Sequence, residues 1–239
     1  MVRGHNEDLY LVLESHGIFC VADGAGGQGR GDMASYLTIK GIKDVVLGTD
    51  DKSYDDTIPL GEGTVSISDD STVALPTAII HGNSSILVPA IHHANDLCRK
   101  SELENIASTI VSCHFQEEQL QLAHVGDSRI YRFKDNQLQQ LTKDHSLVNY
   151  LFDKGEITED EKLTHPKKNV ILKAVGAEDA IQVSVATRDI EEGELYLLCS
   201  DGLTGMVSDN QITQLIQSNK DELENLCKLL VQTANDNGG

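Results

Sequence analysis

The alternation of apolar and polar positions predicts strands at the start of the chain. Residues 9–14 (LYLVLE) form an apolar-rich run, His16 and Gly17 interrupt it, and residues 18–21 resume it as a buried strand that delivers Asp23, a hairpin in outline. From Asp32 the period changes. Ala34, Leu37, Gly41 and Val45 recur at three- and four-residue intervals, a helix with Asp32 near its positive N-terminal end. Residues 47–85 carry Asp50, Asp51, Asp55, Asp56, Asp69 and Asp70 among Gly, Ser and Thr and read as surface loop; residues 86–97 predict a second helix ending near Arg99 and Lys100. Strands follow at 106–115 and 119–125, separated by Gln116, Glu117 and Glu118, and again at 130–133 and 138–141.

Residues 143–168 break this strand-rich rhythm with two short helical pieces, at 146–154 and 158–163, charged throughout. A long polar excursion between sheet strands often covers an active site. Ile181, Val183 and Val185 then alternate with Gln182 and Ser184, and 195–199 reads as a buried strand. The C-terminal helix opens on a capping-box-like Asn219 and Glu222, and its apolar stripe of Leu223, Leu226, Cys227, Leu230, Val231 and Ala234 predicts packing against a sheet. No internal repeat is present.

Composition narrows the class. At 239 residues the chain is long enough for a full core. Its 38 acidic against 19 basic residues give a net charge of −19, which argues against nucleic acid and anionic membranes as partners and suits metal cations. No apolar run approaches the roughly 18 residues that span a bilayer, and the start, MVRGHNED, lacks an apolar signal-peptide core. The five cysteines (Cys20, Cys98, Cys113, Cys199, Cys227) are scattered without a CxxC pair, which points to buried thiols in a cytoplasmic protein. The nine histidines include no HxxxH pair, and His92 and His93, being adjacent, face different ways.

The chemistry concentrates in residues 21–32, VADGAGGQGRGD, where a strand ends at Asp23 and five glycines fall within eight positions. Such a turn presents carbonyls to a metal or N–H groups to a phosphate. A Walker loop is ruled out because Arg30 and Asp32, not Lys and Ser or Thr, follow its last glycines; a dinucleotide loop on Gly24, Gly26 and Gly29 lacks its acidic ribose reader. Two more strands end the same way, at Asp127 after Gly126 and at Asp201 before Gly202. One Asp–Gly pair after a strand is ordinarily a turn, but three of them, with Arg3 and the carboxylates of Glu7 and Asp8 at the first strand, suggest a shared site. Carboxylates and carbonyls without a His or Cys cluster call for hard ions, Mg²⁺ or Mn²⁺. Two such ions about 4 Å apart would activate a water and neutralise a phosphate, whose oxygens Arg3 would grip.

RGHNED at 3–8, VADGAGG at 21–27, HVGDSRIY at 124–131, KDHS at 143 with the later HPKKN, and CSDGLTGMV at 199–207 closely resemble, in family order, the bacterial branch of the metal-dependent type 2C serine/threonine protein phosphatases. The resemblance implies an α+β fold, a four-layer α-β-β-α sandwich of two antiparallel sheets flanked by helices, in a single catalytic domain over 1–239 with a flap at 143–168. It implies that Asp23 bridges two Mn²⁺ or Mg²⁺ ions, that Gly24 offers a carbonyl ligand, and that Asp201 holds one metal. Glu7 and Asp8 fall where the family anchors metal-coordinated water, Arg3 where it binds the substrate phosphate, and Asp127 where bacterial members place a third, weaker ion. Ala25 stands where some eukaryotic members carry a His proposed as general acid, leaving protonation of the leaving group to water.

The implied activity is hydrolysis of phosphoserine and phosphothreonine in proteins by a metal-activated water, with phosphoproteins, an opposing Ser/Thr kinase and its targets as partners, by a monomer. The alternatives are a pseudophosphatase, or other phosphoprotein-binding module with an incomplete metal site, and an ion-stabilised structural domain. The family's closing Gly-Gly-x-Asp-Asn motif, whose Asp is a metal ligand, and the strand before its Arg do not fall within the sequence, so a cropped chain is expected.

Overall fold

A computed structural model of the chain describes residues 6–26, 30–49, 66–68 (main chain only) and 85–238. The elements in order are β1 (Asp8–Leu13), a 3₁₀ turn (Glu14–His16), β2 (Ile18–Gly26), α1 (Gly31–Leu47), β3 (Ser66–Ser68), α2 (Leu87–Lys100), β4 (Ile106–Ser108), β5 (Ile110–Gln116), β6 (Gln119–Val125), β7 (Arg129–Lys134), β8 (Gln137–Gln140), α3 (Leu147–Asp153), α4 (Glu159–Thr164), β9 (Ser184–Asp189), β10 (Leu195–Cys199), α5 (Asp201–Thr204), α6 (Asp209–Asn219) and α7 (Leu223–Asp236). A seven-stranded sheet runs β3-β1-β2-β5-β6-β9 with β4 beside the end of β2, and a three-stranded sheet runs β10-β7-β8. All pairings are antiparallel except β1 with β3, which is parallel.

Alternation along the strands sorts side chains into three buried clusters, the seams between four layers. Leu11 and Leu13 of β1 and Ile18, Cys20 and Ala22 of β2 pack against Ala34, Leu37 and Ile42 of α1 and Ala90, Ile91 and Ala94 of α2. The opposite face of the large sheet, with Val111, Cys113, Leu120 and Leu122, meets Ile130, Tyr196 and Leu198 of the small one. The outer face of the small sheet, with Phe133, Leu195 and Leu197, is covered by Ile212 and Ile216 of α6 and Leu226, Leu230 and Ala234 of α7. This is the expected α+β sandwich. At the α1–α2 crossing a methyl on Gly41 would lie 2.5 Å from the Ala94 Cα, so glycine sets how closely the two helices approach.

Several elements depart from expectation. The loop of 47–85 opens only after α1 has run to Leu47, and it contributes β3; the rest of its acidic stretch lies outside the described residues. The strand expected at 181–185 begins at Ser184, because pairing with β6 and not its own alternation fixes it; Ile181 is buried ahead of it and Val185, on this edge strand, is 58% exposed. α6 was not anticipated, since among its residues only Ile212 and Ile216 are buried, although its Ser208–Gln211 capping box is present in the sequence. Asn219 does not cap α7. It closes α6, its Nδ2 donating to the Leu215 carbonyl, and α7 starts after Glu222 without a side-chain cap. The buried stripe of α7 is narrower than expected, with Leu223, Cys227 and Val231 exposed.

Candidate metal centre

Register brings the first two carboxylates together. Asp8 pairs directly with Asp23 across the β1–β2 ladder, so the two side chains stand on one face about 5 Å apart at their Cβ atoms. Because Phe19 and Val21 face the second sheet, Asp23 does too, and it meets Asp201, which opens α5 immediately after β10. The backbone of Asp23 is pinned from both sides: its N–H donates to Thr109 Oγ1 (3.1 Å), and its carbonyl accepts from the Thr109 N–H (2.8 Å) and Ser108 Oγ (3.1 Å). Ser200 Oγ donates to Asp8 Oδ2 at 2.7 Å.

Asp127 lies in the β6–β7 turn, buried, with its Oδ1 left without a hydrogen-bond partner. Thr109 links this turn to Asp23, since its Oγ1 is also 2.6 Å from Ser128 Oγ. The turn is held from the other side by His145, whose Nδ1 accepts from the Gly126 N–H (3.1 Å) and whose own N–H donates to the Gly126 carbonyl (2.9 Å). Next to His145, Asp144 receives a bidentate grip from Arg129, at 2.7 Å from Nη2 and 3.0 Å from Nε.

The electrostatics are those of crowded carboxylates. Burial, and then the charges of Asp8 and Asp201, push the Asp23 carboxyl up to about 9; burial, Asp201 and Asp144 push Asp127 up to about 6. Among the described residues no three His, Cys, Asp or Glu side chains close into a complete ion cage. The donors that do gather, Asp8, Asp23 and Asp201 with the orphaned Asp127 oxygen nearby, are all hard oxygens, which fits Mn²⁺ or Mg²⁺.

Gly24 is fixed by close approach. A methyl there would sit 1.7 Å from the Gly31 carbonyl oxygen, and its N–H donates to the Glu7 carbonyl at 3.0 Å. Glu7 turns toward the start of α1, where Oε1 accepts from the Gly31 N–H at 3.2 Å. Arg3 lies outside the described residues. The supporting residues Ser108, Thr109 and Ser200 escaped sequence reasoning; the only hint was a polar Ser–Thr pair inside an apolar strand run.

Residues 4–238 match the protein phosphatase 2C family. The chain belongs to that family. Among its phosphatase relatives, "Serine/threonine phosphatase stp" of Listeria welshimeri is 32% identical over 241 residues, covering 100% of this chain and 87% of the relative. "Serine/threonine protein phosphatase PstP" of Mycobacterium tuberculosis is 33% identical over 217 residues, 91% of this chain and 37% of the longer relative. The crystal structure of the M. tuberculosis phosphatase PstP/Ppp superposes with a TM-score of 0.77 at 28% identity, covering 100% of this chain and 89% of that one. The PstP catalytic domain in complex with two manganese ions superposes with a TM-score of 0.70 at 27% identity, covering 98% and 88%.

Proposed function

We infer that the chain is a metal-dependent protein phosphatase that hydrolyses phosphoserine and phosphothreonine side chains of other proteins. The observation that carries this reading is the enforced meeting of Asp8, Asp23 and Asp201 at one end of the sandwich, a cluster of hard-oxygen donors.

Asp23 would serve both ions, Asp201 and Asp8 one side each, the Gly24 carbonyl would complete the strand-end donors, and Asp127 would hold a third, weaker ion. When bound, the ions supply the positive charge that activates a water for in-line attack and neutralises the phosphate. The chain's own part is placement. Thr109 and Ser108 lock the Asp23 backbone, Ser200 orients Asp8, and the Thr109–Ser128 contact fixes the Asp127 turn relative to Asp23. Glu7 braces the start of α1 against β2. Arg3 would grip the phosphate oxygens. The described residues act as one catalytic domain in which 143–168 serves as a flap anchored on the Asp127 turn through His145. Its substrates would be the targets of an opposing Ser/Thr kinase. Among the described residues no helix is long and apolar enough to cross a membrane.

The deciding assay is release of phosphate from a phosphothreonine peptide with and without Mn²⁺. Turnover that requires the ion, and falls at least a hundredfold in Asp23→Asn with the fold retained, supports the reading. Equal turnover in chelator, or near-parental activity in the variant, overturns it.

A further inference from the structure

Acidic residues outnumber basic ones two to one along this chain, yet residues 162–173, KLTHPKKNVILK, hold four lysines and no carboxylate. The segment leaves the last turn of α4 and bends at His165, where the Lys168 N–H donates to the His165 carbonyl (3.1 Å) and the Lys167 N–H to His165 Nδ1 (3.1 Å). It then runs antiparallel to 145–147: the Leu147 N–H donates to the Val170 carbonyl (2.9 Å) and the Leu172 N–H to the His145 carbonyl (2.7 Å). His145 is the residue that grips Gly126 beside Asp127. The lysine-bearing segment is therefore connected to the carboxylate site by a single residue.

Most of its charges enter no ion pair among the described residues. Lys167 and Lys168 are exposed and enter no ion pair among the described residues, and Lys173 Nζ donates to the neutral Gln182 Oε1. Among the described residues only Lys162 of the four has an anionic partner, Glu159, at 2.9 Å. Between the lysines, Leu163 (74% exposed), Val170 (40%) and Leu172 (43%) offer apolar surface. At the foot of the segment lies a cavity of about 410 Å³ lined by Leu122, His145, Leu172 and Lys173, with Asp144 and the ion-paired Lys143 and Asp153 also in its wall. On a body of net charge −19, an acidic ligand is repelled over most of the surface and favoured where lysines without ion partners cluster beside a cavity, as they do here.

We propose that residues 162–173 and the cavity beneath them dock an acidic segment of the phosphoprotein, with an apolar side chain entering the cavity, beside the phosphorylated residue. This rests on the phosphatase reading and names its substrate class: phosphosites flanked by Asp or Glu. An exposed Lys–carboxylate pair is worth a factor of about 2 to 5 in binding, so two or three pairs give roughly a tenfold preference. The preference weakens as salt shortens the reach of the charges.

Two measurements test it. The first is kcat/KM on phosphothreonine peptides that differ only in carrying acidic or neutral flanks. The second is fluorescence anisotropy of the same peptides with unphosphorylated threonine, which turnover cannot alter. Acidic flanks should improve both by roughly tenfold at low salt. The Lys167→Glu/Lys168→Glu double variant should lose that preference while hydrolysing p-nitrophenyl phosphate within about twofold of the parent. Equal binding of acidic and neutral peptides, or a preference that survives the double variant, overturns the proposal. Absence of all hydrolysis with the acidic preference intact in anisotropy would overturn the phosphatase reading and leave the docking surface standing.

Discussion

Replacing Asp23 by Asn should abolish turnover and, in the absence of metal, stabilise the protein. Asp23 stands among Asp8 and Asp201 in a buried site, and its carboxyl is pushed up to about 9 from an ordinary 3.8. A carboxylate whose folded value lies above its unfolded one leaves stability intact below about pH 4 and erodes it as the pH rises toward 9. At pH 7 the erosion spans the interval from 3.8 to 7, which at 1.36 kcal/mol per unit is a ceiling of about 4 kcal/mol. Water entry and side-chain relaxation in the opened site bring the expected gain for Asn to about 2 kcal/mol, a melting temperature higher by roughly 4–8 °C for a domain of this size.

The assay is thermal denaturation in chelator at pH 4, 7 and 9. The gap between variant and parent should be near zero at pH 4, clear at pH 7 and largest at pH 9. Adding Mn²⁺ should reverse the order, because an ion that binds the folded parent stabilises it by about 2.7 kcal/mol at a hundred times its Kd and finds a poorer site in the variant. A variant less stable than the parent at pH 7 in chelator would refute the argument, showing that some other group already neutralises the cluster.

The other expected outcomes follow from the same map. Asp127→Ala removes a carboxylate with one orphaned oxygen, so the fold should survive a chelator melt unharmed while the Mn²⁺ concentration for half-maximal activity rises several-fold. Arg129→Ala leaves the nearly buried Asp144 with little beyond Gln140 Nε2 at 2.8 Å, which should cost about 3–5 kcal/mol by urea denaturation, with part recovered in the Arg129→Ala/Asp144→Ala double variant. Glu194 has a fully buried side chain; burial alone would raise it, but hydrogen bonds from Tyr196, the Glu191 N–H and Arg132 hold it down to about 2. Its stabilisation is therefore present above about pH 4.5 and lost as pH falls toward 2, and Glu194→Gln should cost about 2 kcal/mol at pH 7 and progressively less in acid.

How much of this was legible depended on whether the signal was local. Asp23, Asp127 and Asp201 announce themselves because an apolar run that stops at Asp beside Gly is visible within a few residues, and Asp8 follows from the hairpin that pairs it with Asp23. The groups that hold them are set by tertiary pairing instead. Thr109 touches Asp23 and Ser128, 86 and 19 residues away in sequence, and its neighbourhood offers no more than a polar Ser–Thr pair inside an apolar run. The start of β9 was hidden for the same reason, because the partner strand β6 decides it. α6 is a different failure: its neighbours α7 and the small sheet supply most of the apolar surface, so two buried isoleucines suffice and the periodic signal stays weak. Arg3, clear in the sequence, lies outside the described residues.

The site also shows why so much ordinary packing surrounds so few functional atoms. Left alone, Asp8, Asp23 and Asp201 would separate; each is prevented from doing so by a different device. The β1–β2 register fixes Asp8 against Asp23, the two Thr109 hydrogen bonds fix Asp23, and the exit of β10, paired along Arg129–Phe133 of β7, delivers Asp201. Gly24 and Gly31 let the end of β2 and the start of α1 approach where any side chain would collide. The repulsion is thus confined to a few oxygens and opposed by three buried clusters, which is the pattern expected where local preference yields to a functional demand. A cation that binds there relieves a conflict the fold already sustains, so the same carboxylates that weaken the empty protein make its affinity for hard ions.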